Sequence, residues 1–302
     1  MHIALLHLRV RIEERLLFDA LESLGAAVDM IDLRSVVFDP AAIGQWSRFD
    51  AVLDRSLSLT SSLNATRILE GLGLRCVNPS HTADVCGDKL RTTIALEQAR
   101  IPTPSVRVAL DAESALQAVE QIGYPAVLKP TVGSWGRMVA RVNDRDAAEA
   151  VIEHRDQLGS AQHHVYYVQE HIAKPGRDIR VFVVGGRAIA AIVRTSEHWV
   201  TNTARGAKAS GLTVTDEIAD LCTRSAAAVG ADVCAIDLLE CPRRGLLVNE
   251  VNHSMEFRNS IDTTGVNIPL HIAEHVMAIA CEQRAACDPV QPVVRTIQGV
   301  GA

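Results

Sequence analysis

The chain has no long apolar run. Its longest apolar stretches, such as Ala188 to Val193, fall far short of the ~18–20 residues a membrane helix needs, which excludes a helical span. It has no excess of positive charge: 30 Lys and Arg stand against 36 Asp and Glu, a net charge of −6. A broad nucleic-acid surface is therefore disfavoured, and only a local basic patch stays open. It also has no C-x-x-C pair. The 7 cysteines (Cys76, Cys86, Cys222, Cys234, Cys241, Cys281 and Cys287) are odd in number and scattered. That pattern argues against a structural zinc and a disulfide framework, and for small buried thiols in a reducing compartment. No small-residue cleavage site follows the first short apolar run, which ends at Arg9 and Arg11; a secretory leader is not expected, and a cytoplasmic setting is. What is present is an ordinary globular composition, 48% apolar and 22% charged over 302 residues. That length suits two or three lobes of roughly 100 residues each.

The first eighty residues alternate strand and helix signals. Strands are expected at His2 to Leu8, Val28 to Leu33 and Ala51 to Leu53, with helices at Arg11 to Leu24 and Asn64 to Gly71. Such alternation predicts a parallel sheet with helices on its faces, a Rossmann-like lobe over residues 1–80. No G-x-G-x-x-G follows the first strand, so this lobe is expected to support a site rather than bind a dinucleotide. A helix is predicted over Thr82 to Ala99, stopped by the prolines of Ile101-Pro-Thr-Pro104. A central lobe, 81–170, reads strand, helix, strand, glycine loop, strand, helix, strand. A third lobe, 171–285, is dominated by strands, with helices at Thr215 to Val229 and Leu270 to Glu282. Residues 286–302, rich in Pro and Gly at their end, are expected to form a flexible tail.

Residues 233–252 carry the strongest chemical signal. Two apolar runs, Val233 to Leu239 and Leu246 to Val251, flank the polar turn Pro242-Arg-Arg-Gly245. If Cys241 pairs with Leu246 across a four-residue loop, Asp237 falls opposite Glu250, and Asn252 shares the face of Glu250. Opposed carboxylates repel, so such a pair implies a cation between them. Hard oxygen donors with no His or Cys at hand favour Mg²⁺, which in turn favours a phosphate-bearing substrate. Lys129 ends the apolar strand of Tyr124-Pro-Ala-Val-Leu-Lys-Pro130 and precedes the loop Thr131-Val-Gly-Ser-Trp-Gly-Arg137. Glycines there would let backbone N–H groups approach an anion. Lys89 adds a second cation near a helix start. Val168-Gln-Glu-His-Ile172 ends a strand and could offer backbone groups to an adenine and a carboxylate to a ribose.

These pieces, together with Asp178-Ile-Arg180-Val-Phe-Val, occur in an order that resembles the ATP-grasp carboxylate–amine ligases. Within them the chain resembles the RimK branch, and there the LysX-type ligases of amino-group carrier proteins. That likeness rests on Pro-Thr-Val-Gly-Ser-Trp-Gly-Arg137, His198-Trp-Val-Thr-Asn-Thr-Ala-Arg-Gly206 and Asn249-Glu-Val-Asn-His-Ser-Met-Glu-Phe-Arg-Asn259. The resemblance implies an α/β ATP-grasp fold with ATP between the central and C-terminal lobes. Lys89 and Lys129 would hold its phosphates under Gly133, Ser134, Trp135, Gly136 and Arg137. Gln169, Glu170, His171 and Ile172 would form the adenine hinge, with Asp178 near the ribose. Asp237, Glu250 and Asn252 would bind two Mg²⁺ ions, Mn²⁺ being an alternative. Arg180, Arg194 and Asn202 would orient an acyl phosphate. Substrate contacts would come from Arg194, Asn202, Thr203, His253, Arg258 and Asn259. No protein nucleophile is needed, in keeping with the lack of an evident Ser-His or Cys-His pairing.

The family further implies a carboxylate on a small acidic carrier protein ending in Glu, an amino-acid amine, and a homodimer or homotetramer. The 253–259 stretch resembles the α-aminoadipate form more than the glutamate form. Arg258 suits a side-chain carboxylate, although a surface salt bridge explains it nearly as well. Arg9, Arg11 and Arg15 could receive an acidic carrier or be a solvated helix face. One point of geometry stays open. A two-residue turn at Gly185-Gly186 pairs Arg180 with Ala191 and puts Arg194 on the opposite face, unless a bulge intervenes or Arg194 lies beyond the sheet. Three other readings compete. His271-Ile-Ala-Glu-His275 matches an inverted zinc-peptidase pattern but has no evident third ligand. A glutamate ligase acting on a protein tail and a non-enzymatic ATP-binding regulator complete the set.

Overall fold

The structure, a computed structural model, describes residues 1–133, 137–201 and 206–287. Three sheets organise it. The first is wholly parallel, in the order β2-β1-β3-β4, from β1 (His2–His7), β2 (Ala27–Asp32), β3 (Ala51–Asp54) and β4 (Cys76–Val77). Helices α1 (Ile12–Ser23) and α2 (Leu59–Gly71) connect these strands. Helix α1 starts where Glu14 reaches back to accept from the Arg11 backbone N–H at 2.7 Å. Helix α2 begins five residues ahead of the expected Asn64, because the Ser58 side chain caps it by accepting from the Ser61 N–H.

The single helix expected over 82–99 is two: α3 (Ser80–Cys86) and α4 (Lys89–Gln98). Asp88 ends one and caps the other, its Oδ1 accepting from the Leu90 and Arg91 N–H groups. Local capping has overridden a continuous helical pattern. The break places Lys89 in the first turn of α4, and the Lys89 N–H donates to the Thr131 carbonyl at 2.8 Å.

The second sheet is antiparallel, in the order β5-β8-β6-β7: β5 (Val106–Ala109), β6 (Ala126–Lys129), β7 (Ala140–Val142) and β8 (Tyr166–Glu170). Helices α5 (Ala112–Ile122) and α6 (Arg145–Leu158) cover it, each capped by an aspartate, Asp111 and Asp144. Its core, with Leu128, Ile152, Tyr166 and Val168, is separate from the others.

The third sheet, also antiparallel, runs β11-β10-β9-β12-β13. Its strands are β9 (Arg177–Val184), β10 (Arg187–Thr195), β11 (Lys208–Leu212), β12 (Val233–Cys241) and β13 (Gly245–Asn252), with α7 (Asp216–Ala228), α8 (Arg258–Thr264) and α9 (Ile268–Cys287) packed around them. Sequence reading missed α8. Helix α9 continues to Cys287, past the expected boundary at 285, and residues 288–302, assigned to a tail, lie outside the described residues. One core joins this sheet to the first, with Leu5, Leu17, Phe182, Ala235, Phe257 and Val276 all buried within it. The interface between these two lobes is therefore continuous apolar packing. No helix among the described residues is long and apolar enough to cross a membrane.

Candidate functional site

The β12–β13 hairpin reaches its expected pairing by an unexpected route. Cys241 pairs with Gly245, not Leu246, which shortens the loop by one residue. Asn249 then bulges between Val248 and Glu250, and Asp237 faces Glu250 after all. The cations implied by two opposed carboxylates are in place as side chains. Arg180 grips Asp237 with two hydrogen bonds, Nε to Oδ1 at 2.8 Å and a terminal nitrogen to Oδ2 at 2.9 Å. Arg194 reaches the same Oδ2 at 3.1 Å, and Lys89 Nζ lies 3.8 Å from Glu250 Oε1.

The position of Arg194 settles the question of its face. Val184 pairs with Arg187 across Gly185-Gly186, as expected, but a bulge between Ala188 and Ala190 shifts the register. Arg180 is thus opposite Ile192, and Arg194 is opposite Asp178, so both arginines share one face. Asp178 is buried. Its Oδ1 accepts from Arg194 Nε at 2.7 Å and its Oδ2 from the Thr201 hydroxyl. Lys174 donates to Thr201 Oγ1 at 2.6 Å and lies 3.6 Å from Asp178. Asp178 therefore has both oxygens committed, Oδ1 to Arg194 and Oδ2 to Thr201. Lys174 sits in a loop with no motif around it, and Thr201 lies within the 198–206 stretch but was not singled out there. Burial alone would raise the Asp237 carboxyl, but the Arg180 and Arg194 guanidiniums outweigh it and hold it well below the usual carboxylate range. Burial works against the Arg194 charge too, and the two aspartates more than offset it.

Beside this centre, Lys129 donates to Gln169 Oε1 at 2.9 Å and to Asn249 Oδ1 at 3.2 Å. Burial lowers its ammonium to about 8 although Glu250 draws it up. Asn249, the bulge residue, was not singled out from sequence. Lys89 donates to the Gly133 carbonyl at 2.7 Å, which ties the start of the glycine loop to α4. Arg137 is exposed at the far end of that loop, and Ser134, Trp135 and Gly136 lie outside the described residues. At the end of β8, the Glu170 carboxylate accepts from the Ser105 N–H at 2.6 Å and pairs with Arg244. The His171 ring lies 6.1 Å from that of Trp199, and Ile172 packs on Leu239 and Leu247.

A divalent cation can be tested against this donor set. Asp237, Glu250 and Asn252 offer only oxygen ligands, and Asn252 Nδ2 is buried with no hydrogen-bond partner. Both Asp237 oxygens already accept from Arg180 and Arg194, so Asn252 and Glu250, the latter half-buried with Lys89 3.8 Å away, are the oxygen donors left for a cation. Among the described residues no three His, Cys, Asp or Glu side chains gather to hold a metal. The set therefore fits a hard cation that completes its shell with water and phosphate oxygens, not an all-protein cage.

On the other side of Arg180 and Arg194 a cavity of about 380 Å³ opens between the first and third lobes. Arg258 and Asn259 line it, as do Arg9 and Arg11. Arg15 is exposed and does not. His253 is set behind it, its carbonyl accepting from Asn78 Nδ2 at 2.8 Å, with burial lowering its imidazole. Asn202 and Thr203 lie outside the described residues. The zinc-peptidase pattern does not assemble: His271 Nδ1 is 3.4 Å from Glu274, whereas His275 Nε2 faces Asp232 at 3.7 Å.

Comparison with known proteins identifies the family and the fold. A RimK-like ATP-grasp domain model matches residues 86–276, and a LysX preATP-grasp domain model matches residues 3–85. The glutamate–LysW ligase ArgX of Sulfurisphaera tokodaii is 33% identical over 88% of this chain and 95% of its own length. The α-aminoadipate–LysW ligase LysX of Sulfolobus acidocaldarius is 38% identical over 74% of this chain and 81% of its own. The crystal structure of a RimK domain ATP-grasp protein from Sphaerobacter thermophilus is 30% identical. It aligns with a TM-score of 0.76 over 92% of this chain and 100% of that one.

Proposed function

The chain belongs to the RimK-like ATP-grasp family and is an ATP-dependent ligase forming an amide bond; from that premise we propose what it joins. Its carboxylate is the C-terminal glutamate of a small acidic amino-group carrier protein, and its amine is the α-amino group of α-aminoadipate. The carboxylate attacks the γ-phosphate of ATP, giving an acyl phosphate and ADP; the amine then displaces phosphate.

The observation that carries this reading is the juxtaposition of two charged regions. Lys89 and Lys129 stand on one side of the Arg180–Asp237–Arg194 cluster, and the arginine-lined cavity lies on the other. Lys129 and Lys89 bind phosphate oxygens. Arg180 and Arg194, already oriented by Asp237 and Asp178, meet the charge that develops on the transferring group without having to reorganise. Glu250 and Asn252 would hold Mg²⁺, with Asp237 joining them only where an arginine gives way to the ion, and the bound ion would neutralise charge on the phosphates. The 253–259 stretch supports α-aminoadipate. Glutamate is the alternative amine, since a glutamate-type and an aminoadipate-type relative match the chain over practically equal shares, 88% and 87% of it.

ADP release is the test. With ATP, Mg²⁺ and an acidic carrier ending in Glu, release beyond one ADP per protein is expected only when α-aminoadipate is also added. Faster release with glutamate would move the reading to its alternative. Release that needs neither carrier nor amino acid would overturn it.

A further inference from the structure

The extra residue in β13 does more than correct a loop length. On β12, Asp237 and Leu238 are neighbours and so point to opposite faces of the sheet. Leu238 faces Val248 within the apolar core, and Asp237 faces Glu250 at the site. Regular pairing would put Val248 and Glu250 on one face, and an inserted residue resolves the conflict. That residue is Asn249. The bulge is also held from outside the hairpin, where the Val248 N–H donates to the Pro102 carbonyl at 2.8 Å. Bulges re-aim side chains, and the side chain of Asn249 crosses to the second sheet.

There its Oδ1 accepts twice, from Lys129 Nζ at 3.2 Å and from Gln169 Nε2 at 3.3 Å. Gln169 Oε1 in turn accepts from Lys129 Nζ at 2.9 Å. Residues from three strands thus close a triangle: Lys129 at the end of β6, Gln169 on β8 and Asn249 on β13. By engaging Nε2, Asn249 turns the Gln169 amide so that its oxygen faces the lysine. An ammonium has three N–H bonds. Two of them go to amide oxygens here, which fixes the direction of the third.

The kind of partner sets Lys129 apart. Lys89 stands 3.8 Å from Glu250, and Lys174 stands 3.6 Å from Asp178. Lys129 pairs with no carboxylate among the described residues, and both of its acceptors are neutral amides. A carboxylate in their place would hold the ammonium and cancel its charge. An amide oxygen holds it and leaves the charge whole. We propose that Asn249 is a positioning residue for phosphoryl transfer: the bulge delivers a neutral acceptor across the cleft, which fixes Lys129 Nζ in place without neutralising it. The charge then meets a phosphate oxygen already oriented. The same contact ties the strand that carries Glu250 to the strand that carries Lys129. This rests on the reading of Lys129 as a phosphate ligand, which it deepens.

Equilibrium titration of the full chain with a non-hydrolysable ATP analogue and Mg²⁺ tests this without a carrier. Asn249→Ala removes the acceptor and is expected to weaken binding about fivefold. Asn249→Asp keeps the shape and the acceptor but puts a charge beside the ammonium, and is expected to weaken binding further, ~10-fold or more. That order separates the two roles. If Asn249 only held the bulge together, the isosteric Asp would be the milder change. A urea midpoint for Asn249→Asp close to that of wild type shows that the fold is kept, so the test stands even if the Ala variant is unstable. Against a Lys129→Met background, which has no ammonium to position, Asn249→Ala should change affinity less than ~2-fold. In the ligation reaction Asn249→Asp should raise KM for ATP while KM for the amino acid holds. Asp milder than Ala, both variants within ~2-fold of wild type, or an undiminished loss in the Lys129→Met background would each overturn the proposal. The last result would assign Asn249 to Glu250 or to Gln169 instead. If Lys129→Met binds the analogue as wild type does, the phosphate reading of Lys129 fails. If it weakens binding and the Asn249 variants do not, only this inference fails.

Discussion

Lys129 illustrates how a single residue combines readable and unreadable information. Its place at the end of an apolar strand, before a glycine loop, was evident from sequence. Its charge state was not, because that depends on burial beside Gln169 and Asn249, the latter 120 positions away along the chain. A free lysine titrates near 10.5, and Lys129 at about 8. The charged form that binds phosphate is therefore present below that value and lost as pH rises through it. Affinity for a non-hydrolysable ATP analogue is expected to fall about tenfold between pH 7 and 9, whereas Lys129→Arg stays flat over the same range. A flat profile in the wild type would show that Lys129 does not titrate there. The stability of the free protein runs the other way. Between about 8 and 10.5 the unfolded chain holds the proton that the folded one has released, so this residue's contribution rises with pH over that window.

At the scale of elements, the site is made by strand register. Alternation along the strands correctly put Asp237 opposite Glu250, although the loop length on which that rested was one residue too long, and Asn249 corrected it. For Arg194 alternation alone gave the wrong face, because the bulge between Ala188 and Ala190 carries no sequence signal. The break between α3 and α4 was likewise hidden in a helical pattern until Asp88 was seen capping the second helix. The β10 bulge, with the regular pairing of β9 and β12, lets these three strands converge through Arg180, Arg194 and Asp237, a buried pin across them. Its removal is a matter of stability as well as chemistry. Asp237→Ala leaves Arg180 without its counter-ion and the buried Arg194 with Asp178 alone, and is expected to cost about 3 kcal/mol in urea denaturation. Glu250→Gln, at a half-buried position with one distant lysine, should stay within about 0.5 kcal/mol of wild type while still impairing turnover. Equal stability of both variants would remove Asp237 as the pin. Activity assays on Asp237 variants therefore need a folding control, and Glu250 is the cleaner probe of metal binding.

For the whole molecule, the order of motifs along the chain was enough to suggest the family, since it needs only Lys89, Lys129, Glu170, Asp237 and Glu250 in sequence. The relation of the first lobe to the reaction was not legible. Its missing dinucleotide fingerprint suggested a supporting role, yet the continuous core it shares with the third lobe brings Arg9 and Arg11 to the cavity that Arg180 and Arg194 also line. Of the three N-terminal arginines read as one cluster, only these two face it, because helical geometry turns Arg15 outward. A net negative chain can thus present a concentrated positive cavity between two lobes. The central claim is that this cavity and the phosphate-binding side act together on one amide bond. Intact-mass measurement of an acidic carrier ending in Glu, after incubation with the protein, ATP, Mg²⁺ and a panel of amino acids, tests it most directly. The account predicts a gain equal to one acidic amino acid less one water, with α-aminoadipate preferred; an unchanged carrier mass, or a gain from a neutral amino acid, would contradict it.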